Sequence, residues 1–259
     1  MEKDYKSTIT ITFGDAGENH VGMQQLGKKL DKGFTYEDLK QVQDILSGDG
    51  DYVTELIDLE SFLPVELRTP ETKGASILIM RDILPVSGLE HHATFETLKA
   101  LHWDSKFYSA KHGGVANKKA RWNNCFGDFS QVADIPNKKG TVHDFKDVPC
   151  LQTIRADMAQ LLGDRVSTFI GEGNYYYQAS SCGIGYHSDA ERRCVIAFRF
   201  GKEMSMCFHW YLNSNRVGTK ATFTIKGGDG YIMSEMAVGS KVRKTPTLRH
   251  AAGCKKYIE

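Results

Sequence analysis

Apolar and polar residues alternate over residues 7–13 (STITITF), and Gly14-Asp15 then breaks the pattern, which predicts a short half-buried strand. Two helical periods follow. Met23, Leu26 and Leu30 recur at helical spacing over 21–30, and residues 35–46 open on Thr35-x-x-Asp38, the reciprocal capping arrangement of a helix start. Lys32-Gly33 separates the two. Residues 47–74 hold Gly48, Gly50, Pro64, Pro70 and Gly74 and read as a boundary. From Ala75 the run SILIMRDIL predicts an apolar strand, and residues 89–101 a helix carrying Leu89, Phe95, Leu98 and Leu101. Residues 110–147 are rich in Lys, Asn and Gly and predict an extended surface segment, followed by a helix over 151–162. After Gly163 come the strand-like runs VSTFI, NYYYQ, CVIAFRF, SMCFHWYL, ATFTIK, GYIMSE and TLRHAA. Short strands with glycine turns and no helical pattern between them predict a sandwich, barrel or jelly roll, and disfavour a parallel α/β architecture.

This pattern divides the chain into a small acidic α/β unit at 1–70 and a β-rich domain at 75–259. A length of 259 residues allows one sizeable core with a small accessory unit. The 41% hydrophobic and 25% charged fractions are those of an ordinary globular protein. No run approaches the roughly 20 apolar residues of a membrane span, so no membrane partner is expected. The N-terminus lacks the basic and apolar regions of a secretory signal. Six cysteines without a CxxC pair suit reduced thiols rather than a disulfide framework. The expected location is therefore cytoplasmic, with the nucleus left open, and the pattern is silent on oligomeric state.

Charge changes the picture more than composition does. Residues 1–66 carry six basic and fourteen acidic residues, net −8, and the remainder 27 against 18, net +9. The richest basic stretch runs through Lys99, Lys106, Lys111, Lys118, Lys119 and Arg121, interleaved with Trp103, Phe107, Tyr108 and Trp122. Basic residues with interleaved aromatics suit a nucleic-acid backbone and its bases. The competing account is a solvated face that balances the acidic N-terminal segment.

The strongest chemical signal is His187-Ser188-Asp189 with His250 near the C-terminus. Residues two apart on a strand share a face, so His187 and Asp189 can present a nitrogen and a carboxylate together. A second imidazole from a distant strand completes two histidines and one carboxylate, the donor set of non-haem Fe(II) oxygenases. His209 is a possible additional ligand, although between Phe208 and Trp210 it reads first as a strand residue.

In order along the chain stand Trp103-Asp104, Arg121 with Cys125-Phe126-Gly127-Asp128, Asn174-Tyr175-Tyr176, His187-Ser188-Asp189, Gly228-Asp229-Gly230-Tyr231-Ile232-Met233 and Arg249-His250. This series resembles the AlkB-like branch of the Fe(II)/2-oxoglutarate-dependent dioxygenases over roughly residues 75–259. The resemblance implies an α+β fold: a double-stranded β-helix (jelly-roll) catalytic core with flanking helices, preceded here by the N-terminal α/β unit. It implies Fe(II) held by His187, Asp189 and His250, with 2-oxoglutarate and O2 as cosubstrates. Asn174 and Tyr176 would face the 2-oxoglutarate. Glu191 would meet the substrate base, with Arg121 and Trp122 beside it; the alternative for Glu191 is an ion pair with Arg192 or Arg193.

In one respect the chain departs from the family, which anchors the distal carboxylate of 2-oxoglutarate on a basic residue, usually Arg, some nine or more positions after the second His. Only nine residues follow His250, none of them Arg. Lys256 has the strand parity of His250 and is the chosen anchor, with Arg249, Arg199, Lys202 and Lys255 as other basic neighbours. The implied reaction is hydroxylation or oxidative demethylation of a C–H group, on a nucleic-acid base or nucleotide. The alternatives are a protein side chain or small metabolite as substrate, or a non-catalytic jelly-roll binding module. In the N-terminal segment, Asp15, Glu18 and His20 follow a strand and invite a metal or partner, while Asp15 and Asn19 also read as capping and turn residues.

Overall fold

In the computed structural model, which describes residues 5–48, 52–239 and 245–259, the first alternating run is strand β1 (Thr8–Gly14). A small hairpin, β2 (Ala16–Glu18) and β3 (Gln25–Gly27), leads to helix α1 (Tyr36–Gly48). Then come β4 (Thr54–Asp58), β5 (Ser76–Met80) and α2 (His91–Lys99). A second hairpin, β6 (Lys106–Ser109) with β7 (Gly114–Asn117), precedes β8 (Trp122–Gly127), β9 (Val142–Asp144) and α3 (Pro149–Leu162). The C-terminal half runs β10 (Ile170–Tyr176), β11 (Gly183–His187), β12 (Val195–Gly201), β13 (Met204–Leu212) and β14 (Asn215–Ile225). It ends with β15 (Gly230–Met233), α4 (Glu235–Val238), β16 (Thr247–Gly253) and α5 (Lys255–Ile258).

The fold is mixed α and β and rich in strands. One sheet has eight strands in the order β4-β5-β15-β12-β1-β10-β8-β9, and a second has four, β11-β16-β13-β14. Neighbours in both are antiparallel except β8 and β9. On one face of the large sheet Ile9, Ile11, Phe13, Ile196 and Phe198 pack against α1, α2 and α3 through residues such as Leu39, Phe95 and Ile154. Each such side chain, removed from water, contributes about 2 kcal/mol of transfer free energy. On the opposite face, Ile77, Ile79 and Met233 meet Met206, Phe208, Trp210 and Leu248 of the small sheet. Another part of the space between the sheets is a cavity of about 180 Å³. No helix among the described residues is long and apolar enough to cross a membrane.

Several expectations need correction. The segment 1–70 does not stand apart from 75–259. β1 lies between β12 and β10, pairing Thr10 with both Arg199 and Asn174, and β4 pairs with β5 across the expected boundary. Gly50 of that boundary lies outside the described residues. The threonines of β1 were legible as the polar side of a half-buried strand, yet both sides are covered: Thr8 and Thr10 are as buried as Ile9 and Ile11. Residues 21–30 form no helix, because Gly22 and Gly27 take positive φ (81° and 71°) and Asp15 draws in the Leu30 N–H at 2.7 Å. The stretch 110–147 is not merely surface, since β8 enters the large sheet with Asn123, Asn124, Cys125 and Phe126 buried. Its asparagines disguise it, and their amides are paired: Asn123 Nδ2 donates to Asn174 Oδ1 at 2.7 Å. The run VSTFI begins as a short 3-10 turn, Asp164–Thr168, and becomes strand only at Ile170. The reciprocal Thr35–Asp38 cap stands as expected at the start of α1, with Asp38 N donating to Thr35 Oγ1 at 3.1 Å and Thr35 N to Asp38 Oδ2 at 2.8 Å.

Candidate metal centre and its pocket

His187 is the last residue of β11, and its register partner on the adjacent antiparallel β16 is His250. The pairing sets the two imidazoles edge to face with centroids 4.4 Å apart. Asp189 lies just past the strand end and not on the strand with His187, and its N–H is tied to the Val238 carbonyl at 3.2 Å. Its Oδ1 is 3.3 Å from His187 Nε2 and 3.5 Å from His250 Nε2. The three ligand atoms lie within 4.8 Å of one another. With metal–ligand bonds of about 2.1 Å, donors stand about 3.0 Å apart at right angles and about 3.4 Å apart in a tetrahedron, so the two carboxylate–imidazole separations suit a divalent transition metal.

The surroundings orient the three donors and set their charge. His187 Nδ1 donates to the Gly185 carbonyl at 2.8 Å, which aims Nε2 at Asp189. Burial alone would push the His187 pKa down, but the Asp189 carboxylate outweighs it and pushes it up, so a metal would take the place of the Nε2 proton. Burial alone would push the Asp189 carboxyl up; Arg192 and the two imidazoles more than offset that and hold it well below the usual carboxylate range. Burial, then the neighbouring His187, pushes His250 down towards the neutral form. Arg192 is the hub: it bonds Glu172, reaches Glu191 Oε1 at 2.8 Å and stands 3.3 Å from Asp189 Oδ2.

The cavity opens beside this cluster. Its large-sheet wall carries side chains two residues apart on β1 (Thr10, Thr12), β10 (Glu172, Asn174, Tyr176) and β15 (Tyr231, Met233), together with Arg199 of β12. Asn174 and Tyr176 are thus brought to the pocket as expected. Asn174 Oδ1 accepts from Arg121 Nε at 2.5 Å, and Arg121 and Glu191 also line it. The ion-pair account of Glu191 holds as well, with Arg192 as its partner.

Four other expected residues are elsewhere. Gly253, at φ 136°, ends β16 and turns the chain into α5, which leaves Lys256 exposed over the Tyr257 ring instead of continuing the strand parity. Arg249 points to the face opposite His250 and stacks over Tyr211 at 4.2 Å. His209, its register partner on β13, shares that face and stays outside the ligand cluster. Trp122 packs on Tyr177 and Tyr175, at 4.8 and 5.8 Å, and does not line the cavity.

The N-terminal motif divides between structure and site. Asp15 accepts the N–H groups of Leu30 and Cys194, and Asn19 bonds Asp104, the Asn123 carbonyl and Lys118, so both tie together segments distant in the chain, where the sequence suggested local turn and capping roles. Glu18 and His20 line the pocket mouth, and His20 stacks on Phe107 with ring centroids 3.9 Å apart. Thr10, Thr12 and Tyr231 were not singled out in the sequence as site residues. Parity marks the first two as facing away from Ile9 and Ile11, but only the neighbouring strands show what they face.

No family model matches the chain. It is 42% identical over 263 aligned positions, 99% of each chain, to the uncharacterized protein R156 of Acanthamoeba polyphaga mimivirus. The chain belongs to the same family as that viral protein.

Proposed function

We propose that this protein is an Fe(II)/2-oxoglutarate-dependent dioxygenase of AlkB-like type, with a double-stranded β-helix core formed by the small sheet facing β15-β12-β1-β10. The observation that carries the reading is the convergence of His187, Asp189 and His250 on one point at the wall of an inter-sheet pocket. Two imidazoles and one carboxylate leave open coordination positions, the arrangement suited to Fe(II) oxygenases. When bound, Fe(II) with 2-oxoglutarate and O2 supplies oxidation of a substrate C–H, with succinate and CO2 released from the cosubstrate.

The chain's own groups have distinct tasks. Arg192 keeps Asp189 ionised, and the Gly185 carbonyl orients His187. Asn174, held by Arg121 and Asn123, fixes an amide on the pocket wall. Thr10, Tyr176 and Tyr231 close the inner wall against solvent. A nucleic-acid base or nucleotide as substrate is supported by the β6–β7 hairpin. It carries the exposed Lys106 and Lys111 and is docked on the pocket mouth through the His20–Phe107 stack. Hydroxylation of an N-methyl group there would end in its loss as formaldehyde. The six free cysteines accord with a reducing, cytoplasmic setting.

The test is an anaerobic titration of the metal-free protein with Fe(II) and 2-oxoglutarate, followed by admission of O2. The expected result is a visible charge-transfer band and succinate formation, both lost in His187→Ala while the fold persists. Succinate formation that is independent of iron, or unaffected by His187→Ala, overturns the reading.

A further inference from the structure

Arg199 is the anomaly of the pocket wall. It is 1% exposed, yet its Nε and Nη1 have no hydrogen-bond partner among the described residues. A buried guanidinium without a counter-ion is costly, and proteins ordinarily pair such a group. The carboxylate whose charge reaches it, Asp229, is committed elsewhere. Asp229 Oδ2 takes Arg81 Nη1 at 2.7 Å and the Lys226 N–H, and Oδ1 takes the Asp82 N–H. Glu172 and Glu191, which also line the cavity, are engaged by Arg192.

The surroundings of Arg199 are also unfinished. Thr10, its register partner on β1, has a buried hydroxyl without a partner. The phenols of Tyr176 and Tyr231 are the other groups that act on its charge. Burial lowers the Arg199 pKa, as expected of a cation that lacks an anion, though a guanidinium stays charged at neutral pH. Arg199, Thr10, Tyr176, Tyr231 and the metal cluster all line one cavity.

We propose that Arg199, with Thr10, is the anion anchor of this pocket and takes the distal carboxylate of a dicarboxylate whose other end reaches His187, Asp189 and His250. The proposal rests on the oxygenase reading for the identity of that other end. It assigns to β12 the cation that Lys256 cannot supply. A guanidinium offers two parallel N–H donors to a carboxylate, and Thr10 adds a hydroxyl. With Nε and Nη1 unpartnered, a ligand carboxylate would supply the counter-ion that the fold does not.

The experiment uses the full chain with Arg199→Met and Arg199→Lys, in two arms. Without metal, thermal stability is measured with and without glutarate, which has both carboxylates but no keto group. With Mn(II) in place of Fe(II), affinities are measured for Mn(II) itself, for 2-oxoglutarate and for 2-oxobutyrate, which lacks the distal carboxylate. Arg199→Met should leave the ligand-free protein no less stable and abolish stabilisation by glutarate. It should weaken 2-oxoglutarate about ten- to hundred-fold while Mn(II) and 2-oxobutyrate bind as before. Arg199→Lys should fall between the two proteins, because it keeps the charge and loses the fork.

Wild-type affinity for 2-oxoglutarate or glutarate in both variants overturns the proposal, as does a wild-type protein that neither dicarboxylate stabilises. If Arg199→Met does not fold, the Lys variant decides: 2-oxoglutarate binding must weaken with 2-oxobutyrate unchanged. Glutarate binding that depends on Arg199, with no 2-oxoglutarate bound through Mn(II), retains the anchor and sinks the oxygenase reading. Metal-dependent 2-oxoglutarate binding indifferent to Arg199 does the reverse.

Discussion

Glu18 stands half-buried at the pocket mouth, near the carboxylates of Glu191 and Glu172. Burial, then the charges of Glu191 and Glu172, push its carboxyl up to about 7 against the pull of the Gly22 N–H and Arg192. The folded value lies above the unfolded one, so the folded state binds the proton more readily. Glu18 therefore favours the fold below about pH 4.5, and that contribution is lost as pH rises through 7. Glu18→Gln imitates the protonated form. In metal-free protein it should leave stability unchanged near pH 4.5 and raise it by about 1 kcal/mol at pH 8, a figure reduced for the half-exposed site. Urea melts at the two pH values measure this, and an equal effect at both would remove the electrostatic explanation. At this scale His187, Asp189 and His250 were legible, because their chemistry is particular to few residue types. Glu18 was legible only as a candidate, since a carboxylate after a strand usually serves the fold, as Asp15 does by tethering Leu30 and Cys194.

Among the elements, α1 and β1 differ in what stabilises them. The α1 start depends on the reciprocal Thr35–Asp38 pair at an exposed helix end, and the strand on apolar burial in the sheet interior. Thr35→Ala should cost about 1 kcal/mol, and Ile11→Ala about 2–5 kcal/mol because it opens a cavity in a packed layer. Denaturant midpoints of the two variants test the ranking; a cap loss as large as the core loss would refute it. Two elements depart from the sequence pattern, each for its own reason. Over 21–30 the helical spacing was real, with Met23 and Leu26 buried, but two positive-φ glycines and the Asp15 bonds bent the chain into a hairpin. β8 looked soluble because Asn123 and Asn124 are polar, and a polar residue can sit inside a sheet when its hydrogen bonds are met there.

For the molecule as a whole, β1 is the central fact. It joins β12 to β10, carries Ile9 and Ile11 into the helical layer, and turns Thr10 and Thr12 into the pocket. A fragment of residues 75–259 should therefore fail to fold cooperatively, since removing β1 splits the large sheet and uncovers both faces beside it. Far-UV circular dichroism and urea melts of the fragment measure this, and a sharp, reversible transition would show that the N-terminal segment is dispensable.

Chain order alone carries the local periods, the α1 cap, most strands of the C-terminal half, and the three candidate metal-ligating side chains. These depend on neighbours in the chain or on residue chemistry, and both are written in the order of the residues. Tertiary structure alone decided that the N-terminal strand completes the sheet of the C-terminal half, and that Thr10 and Arg199 meet with unfilled hydrogen bonds. It also decided that Lys256 and Arg249 leave the pocket. A period of two states which side chains share a face of a strand; which strand lies beside it, and what covers that face, depends on pairings between residues far apart in the chain.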